Sequence, residues 1–142
     1  MTRRGLVLVA VVALLVAACS GDDESSDGGG PVVQASSSTV GNILTDGEGN
    51  TLYLFIPDGA GPSVCNDDCA TAWPPLTDVV TAGEGADGAL VGSATRADGT
   101  EQATYNGWPL YYFASDGETG DTNGQGINDV WFVISPEGEA VQ

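Results

Sequence analysis

Hydrophobic and polar positions divide this chain of 142 residues into three stretches. Leu6 to Ala18 is an unbroken apolar run. Ser20 to Ser38 has no period and is dominated by Ser, Gly and Asp. From Val40 onward, short apolar segments alternate with turn residues, and almost no helical period is present.

The third stretch reads as a series of short strands. Val40 to Leu44 is one, Asp46 to Asn50 is turn chemistry, and Thr51 to Ile56 returns as the second arm of a hairpin. On the return arm Tyr53 and Phe55 share one face and Leu52, Leu54 and Ile56 the other. Both faces are apolar, which predicts a strand interior to a sheet or between layers. Pro57 to Pro62 reads as loop. Cys65 to Trp73 reads as one or two helical turns, capped by Asn66 or Asp67 and stopped by Pro74-Pro75. Thr81 to Gly88 reads as a surface excursion. Leu90 to Arg96 and Thr100 to Tyr105 form a second hairpin around Asp98-Gly99. Asn106-Gly107 then turns the chain into Trp108 to Phe113. Asp116 to Asp129 is a long polar loop, Val130 to Ser135 a last strand, and residues 136–139 a final turn.

One motif occurs twice. Tyr53, Phe55 and Asp58 fit Y-x-F-x-x-D, as do Tyr111, Phe113 and Asp116. Trp73 and Trp131 follow the first and second tyrosine at the same spacing, so four positions share one offset, 111 − 53 = 58. The expectation is an all-β, compact antiparallel sandwich or barrel made of two related repeats, about 40–81 and about 96–139. It holds at most one or two short helical turns. In this plan Tyr53 and Tyr111 occupy matching central places. Trp73 and Trp131 each pack on the motif of their own repeat. Residues 39–142 make one domain, and 19–38 a flexible tether.

The apolar run changes the picture of where the domain works. It follows Thr2-Arg3-Arg4 and ends at Ala18. A membrane-spanning helix needs about 20 apolar residues, more than this run supplies. Residues 1–18 therefore read as an export signal. Val16-Ala17-Ala18-Cys19 resembles a bacterial lipobox, so Cys19 is expected to carry lipid and hold the protein on the outer face of the cell membrane. Charge agrees with an anchor of that kind. The net charge is −17, with 20 acids and three arginines. Loss of Arg3 and Arg4 leaves one cation, Arg96, against those 20 acids, and 1 − 20 gives −19. A field of that sign repels phosphate backbones and anionic headgroups, which excludes nucleic acid as a partner and leaves the lipid to do the anchoring.

These residues resemble a bacterial envelope family of secreted, usually lipid-anchored repeats known by its Yx(F/W/Y)xxD motif. The matching positions are both motif copies, Cys65 and Cys69, Trp73-Pro74-Pro75-Leu76, Asp98-Gly99, Asn106-Gly107-Trp108-Pro109-Leu110, Gly120-Asp121 and Trp131. The resemblance implies an exported two-repeat domain and carries no activity with it.

Candidate chemistry is narrow. Cys65 and Cys69 lie in an exported chain with Cys19 reserved for lipid, so they are expected to bridge. The chain has no His or Lys. That removes Ser-His and Schiff-base catalysis for this chain alone. It also removes the usual zinc, copper and haem ligands. Oxygen ligands remain. Asp116, Glu118, Asp121, Asn123 and Asp129 make a candidate calcium loop; counted from Asp121, where the echo of an EF-hand begins, the twelfth position is Phe132 and departs from the EF-hand pattern. The aromatics pack the core or stack on sugar. The preferred function is a non-catalytic binding or spacer module of the envelope, with a glycan or protein partner. The alternatives are a carboxylate-dependent hydrolase of wall glycan and an accessory to envelope electron transfer.

Overall fold

The computed structural model describes residues 31–142. The signal at 1–18, Cys19 and the first part of the tether lie outside the described residues. The fold begins with a strand that composition hides. β1 (Val32–Ser38) pairs antiparallel with β2 (Gly41–Asp46), in the register Ala35 opposite Leu44. Residues 32–38 are therefore part of the sheet, and the tether read over 19–38 stops short of them. The serines conceal this because they do strand and turn work. Ser36 Oγ meets Thr45 Oγ1 at 2.9 Å, and Ser38 Oγ accepts from the Val40 amide at 3.1 Å. Val33 anchors the strand and is fully buried.

The hairpin out of β2 forms as its turn chemistry predicts. Asp46 Oδ1 accepts the amides of Glu48 and Asn50, each at 2.9 Å, and Leu52 N–H donates back to Leu44 C=O. β3 (Tyr53–Phe55) follows. The helical turn is α1 (Asp68–Ala72), which begins right after Asp67 and ends just short of Pro74. β4 (Thr81–Ala82) then runs parallel to β1, the one parallel pairing in a set otherwise antiparallel among the described residues. β5 (Val91–Thr95) and β6 (Glu101–Tyr105) form the second hairpin. Asn106 and Gly107 both take positive φ and lead into β7 (Trp108–Pro109). A type I′ turn requires that sign at both of its central residues. β8 (Trp131–Val133) closes the fold.

Three small sheets result, ordered β2-β1-β4, β3-β8 and β5-β6-β7. The class is all-β with two repeats, as the alternation predicts. The sheets fit a sandwich plan, and no closed barrel forms among the described residues. β3 sits between two apolar clusters. Leu52 and Leu54 join Leu44, Leu76, Leu110 and Ile134 on one side, while Tyr53 and Phe55 join Trp73, Tyr111 and Trp131 on the other. That is why both of its faces read as apolar.

The repeats do not lie side by side as independent units. β3 of repeat one pairs with β8 of repeat two, and Tyr111 of repeat two bridges to Pro75 of repeat one. The crossing is reciprocal. Ile56 N–H donates to Val130 C=O at 2.8 Å, and Ala114 N–H, at the equivalent position of repeat two, donates to Ala72 C=O at 2.9 Å. Leu76 N–H donates to Leu110 C=O at 3.0 Å, and Ile134 N–H to Leu52 C=O at 3.3 Å. Each repeat thus completes its central ladder with the closing strand of the other, under an approximate two-fold relation.

Candidate functional site

The motif residues meet on that two-fold. Tyr53 and Tyr111 exchange backbone bonds, N–H to C=O at 2.9 and 3.0 Å. Their hydroxyls then reach across the repeats. Tyr53 Oη donates to Asp116 Oδ2 at 2.6 Å, and Tyr111 Oη donates to Asp58 Oδ2 at 2.5 Å. Each aspartate is held at its other oxygen by an amide of its own repeat. Val64 N–H donates to Asp58 Oδ1 at 2.8 Å and Asn123 N–H to Asp116 Oδ1 at 3.0 Å. The tyrosine and aspartate of Y-x-F-x-x-D therefore serve different repeats.

The aromatic rings follow the same rule. Phe55, Trp131, Trp73 and Phe113 form a four-ring stack, with centroid separations of 4.2, 3.8 and 4.1 Å. Tyr53 meets Trp73 edge-on at 5.3 Å, and Tyr111 meets Trp131 edge-on at 5.0 Å. Each tryptophan thus touches the tyrosine of its own repeat but stacks on the phenylalanine of the other. The expectation that each tryptophan packs on its own repeat's motif holds at the tyrosine and is corrected at the phenylalanine. The cause is the strand exchange, which places Phe55 opposite Trp131 in register. Trp73 is 5% and Trp131 4% exposed, so neither offers a face for a sugar. Trp108 is half-buried and packs against the Leu-rich cluster.

The polar surroundings of the two copies differ. Around Asp58 of repeat one the buried Arg96 guanidinium, reaching over from repeat two, donates to Ser63 Oγ at 3.0 Å, Gln102 Oε1 at 2.8 Å and Cys65 C=O at 2.8 Å. Ser63 Oγ lies 2.5 Å from Tyr111 Oη, which completes a relay from Arg96 to Asp58. Burial pushes the Asp58 carboxyl above the usual carboxylate range. The bonds from Tyr111 and Val64 and the charge of Arg96 only partly offset it. Burial, and then the facing carboxylates, raise the Tyr53 and Tyr111 hydroxyls far above an ordinary phenol. Both hydroxyls donate to those carboxylates, each across the repeats. In repeat two a backbone amide, Gly124 N–H, replaces the serine and donates to Tyr53 Oη at 3.1 Å. Gly124 is required there because a Cβ would stand 2.7 Å from Trp73 Cη2.

Cys65 and Cys69 form a disulfide, with Cα atoms 5.2 Å apart. The candidate calcium loop is organised differently from an ion cage. Asp121 Oδ2 accepts the amides of Gly117 and Glu118, both at 3.0 Å, and Asp116 is committed to Tyr53 and Asn123. Asp129 sits apart in a 3-10 turn, Ile127–Asp129. No group of three or more His, Cys, Asp or Glu able to hold a metal ion occurs among the described residues. The loop is closed by Gln125 instead, whose Nε2 donates to Val141 C=O at 2.6 Å and whose Oε1 accepts from Val133 N–H at 2.7 Å.

Two polar clusters lie outside the residues that the sequence singles out. One is Arg96, Gln102 and Ser63. Arg96 stands out in the letters as the one cation left beyond the signal, but nothing there marks it as buried or joins it to Ser63 and Gln102. The other is Asp46, which accepts from Tyr112 Oη at 2.9 Å and Asn50 Nδ2 at 3.0 Å. Burial alone would raise its carboxyl, but these bonds and the turn amides outweigh it and hold it below the usual range. Nothing in the letters joins positions 46 and 112. Shallow grooves lie elsewhere on the surface. One is bounded by Ile56, Gln125, Asp129 and Phe132, with Asp129 its one acidic side chain. Another lies along β5.

Among known families, a model described as a secreted repeat of unknown function matches the chain twice, over residues 34–77 and 92–135. The two matches start 92 − 34 = 58 positions apart, the offset of the motif. No curated protein and no solved structure matches the chain.

Proposed function

The chain belongs to that family of secreted repeats, and from this premise we propose that it is a lipid-anchored, non-catalytic module of the bacterial cell envelope that binds or spaces a partner outside the membrane. The observation that carries the reading is the fate of the motif. Its tyrosines, its tryptophans and Asp58 are buried, Asp116 is half-buried, and the hydroxyls donate to the two carboxylates across the repeats. Residues used in that way build a rigid platform and leave function to the periphery.

The anchor reading is supported by the junction Val16-Ala17-Ala18-Cys19 behind a short apolar run. No helix among the described residues is long and apolar enough to cross a membrane. Diacylation of one cysteine supplies two chains, which is enough for stable attachment where one is marginal. The test is detergent phase partitioning of the native protein against Cys19→Ala. The proposal expects the wild type in the detergent phase and the variant in the medium or held unprocessed. Unchanged partitioning overturns it.

A further inference from the structure

The two repeats agree in the core and differ at one sheet edge. In repeat one, β1 lies between β2 and β4, so its outward backbone groups are occupied. Gly83 N–H donates to Val33 C=O at 2.7 Å, and Ala35 N–H donates to Glu84 C=O at 2.8 Å. β5 holds the equivalent place in repeat two. Leu44 and Ala103 both donate at 2.8 Å, to the carbonyls of Ile134 and Leu76, which are themselves equivalent positions of the two repeats. Across the ladder Leu44 faces Ala35 and Ala103 faces Ser93. Val33 and Ala35 therefore correspond to Val91 and Ser93.

The β5 edge is open where β1 is covered. Arg96 N–H to Thr100 C=O and Asn106 N–H to Leu90 C=O fix the phase of the β5–β6 ladder. Hydrogen-bonded pairs alternate along an antiparallel ladder, so Gly92 and Ala94 face β6 while Val91, Ser93 and Thr95 face outward. Among the described residues β5 pairs only with β6. Val91 C=O and Ser93 N–H are thus left on the open side, in the positions that grip residues 83 and 84 in repeat one. Beside them runs a groove of about 310 Å³ whose lining includes Val79, Val80, Val91 and Ser93 together with the acidic Asp78 and Glu101. Val79 is 86% exposed.

The geometry points to the β5 edge as a docking site for an extended, basic peptide segment of another protein, which adds a parallel strand there as residues 81–84 do on β1. An open edge offers main-chain affinity and alternate side-chain pockets, the two parts of recognition by strand addition. Polarity of the partner follows from charge. A second exported copy brings a net charge of −19, from 1 − 20, to a groove already lined by Asp78 and Glu101 and is repelled. A basic strand with one apolar side chain satisfies both the acids and the valines of the groove. This inference rests on the binding-module reading and names the class of partner.

The probe is an acetylated, amidated nonapeptide with the residue order of positions 79–86, carrying Lys in place of Glu84 and one further Lys at its end. It is titrated into isotope-labelled full-length protein in neutral detergent micelles, followed by amide shifts and hydrogen exchange. Saturable binding with new protection at the Ser93 and Thr95 amides is expected. Ser93→Pro removes the outward donor without touching the β6 ladder, and should weaken binding about tenfold, the scale of one or two hydrogen bonds. If that variant does not fold, Asp78→Lys with Glu101→Lys serves instead, and should lose the basic peptide and gain its acidic counterpart. No saturation at millimolar peptide, equal affinity for both peptides, or a dimer that protects the same amides contradicts the assignment. Release of Cys19→Ala alongside a failed titration would leave the anchored module standing and remove only this docking site.

Discussion

Tyr53 and Tyr111 hydrogen-bond each other through both backbone groups and send their hydroxyls in opposite directions, each to the aspartate of the other's motif. A motif that looks local in the sequence is therefore a long-range lock. The tyrosine of one copy closes on the aspartate of the second, and neither repeat is complete by itself.

Removing the two hydroxyls should cost unequal amounts. Asp58 is buried. Tyr111→Phe therefore leaves a desolvated carboxylate short of a donor, at about 1–3 kcal/mol. Asp116 is half-exposed and water can replace the lost partner. Tyr53→Phe takes the acceptor from the buried Gly124 N–H but leaves Asp116 open to water, and should accordingly cost less than Tyr111→Phe, about 1–2 kcal/mol. Urea unfolding of the two variants checks the order, and equal losses would contradict it.

The four-ring stack predicts coupled losses. Trp73→Ala and Trp131→Ala should each cost about 3–5 kcal/mol, as for other buried aromatics. The two rings are in face contact, with centroids 3.8 Å apart. The double variant should therefore lose less than the sum of the singles. Additive losses would mean the rings are held by their surroundings rather than by each other.

Gly124 is fixed by closeness to Trp73, not by backbone angle. Gly124→Ala places a Cβ 2.7 Å from the ring. Overpacking of that kind should cost about 1–3 kcal/mol. Gly117→Ala, in open space on the same loop, should be nearly neutral. Thermal melts of the pair separate crowding from loop entropy.

The pH dependence of stability should carry two opposite signatures. Asp58 has a raised carboxyl in the folded state, so the folded protein binds its proton more tightly. Its contribution is lost as pH rises through the folded value. Asp46 is lowered in the folded state. Its contribution is present above the usual carboxylate range and lost as pH falls through its folded value. Relative to Asp58→Asn, the wild type should gain stability on acidification. Relative to Asp46→Asn it should lose stability. Chemical unfolding across the acid range, with each variant as reference, reads both signs.

Much of this fold is legible because its turns and faces are short-range signals. Asn106-Gly107, Asp98-Gly99 and the Asp46 to Asn50 turn each fix a hairpin locally, and the repeat offset fixes which strands are equivalent. Other features escape for physical reasons. β1 is hidden because its serines look like linker, while only Val33 reports burial. The exchange of closing strands is hidden because one repeat offset is satisfied equally by repeats that pack on themselves and by repeats that swap. The roles of Asp116 and Asp121 are ambiguous in the letters, since a carboxylate that caps backbone amides and one that binds an ion need the same Asp-, Gly- and Asn-rich loop. Arg96 stands in plain view as the last cation, but its partners Ser63 and Gln102 are uncharged and give no pattern.

The most direct test is a pair of double-mutant cycles on one tyrosine. Tyr53→Phe is combined with Asp116→Ala in one cycle and with Asp58→Ala in the other, and unfolding free energies are measured. The interlocked arrangement predicts a coupling of about 0.5–3 kcal/mol between Tyr53 and Asp116, the range for residues in direct contact, and none between Tyr53 and Asp58. Coupling confined to Tyr53 and Asp58, the pair within one motif, would contradict it.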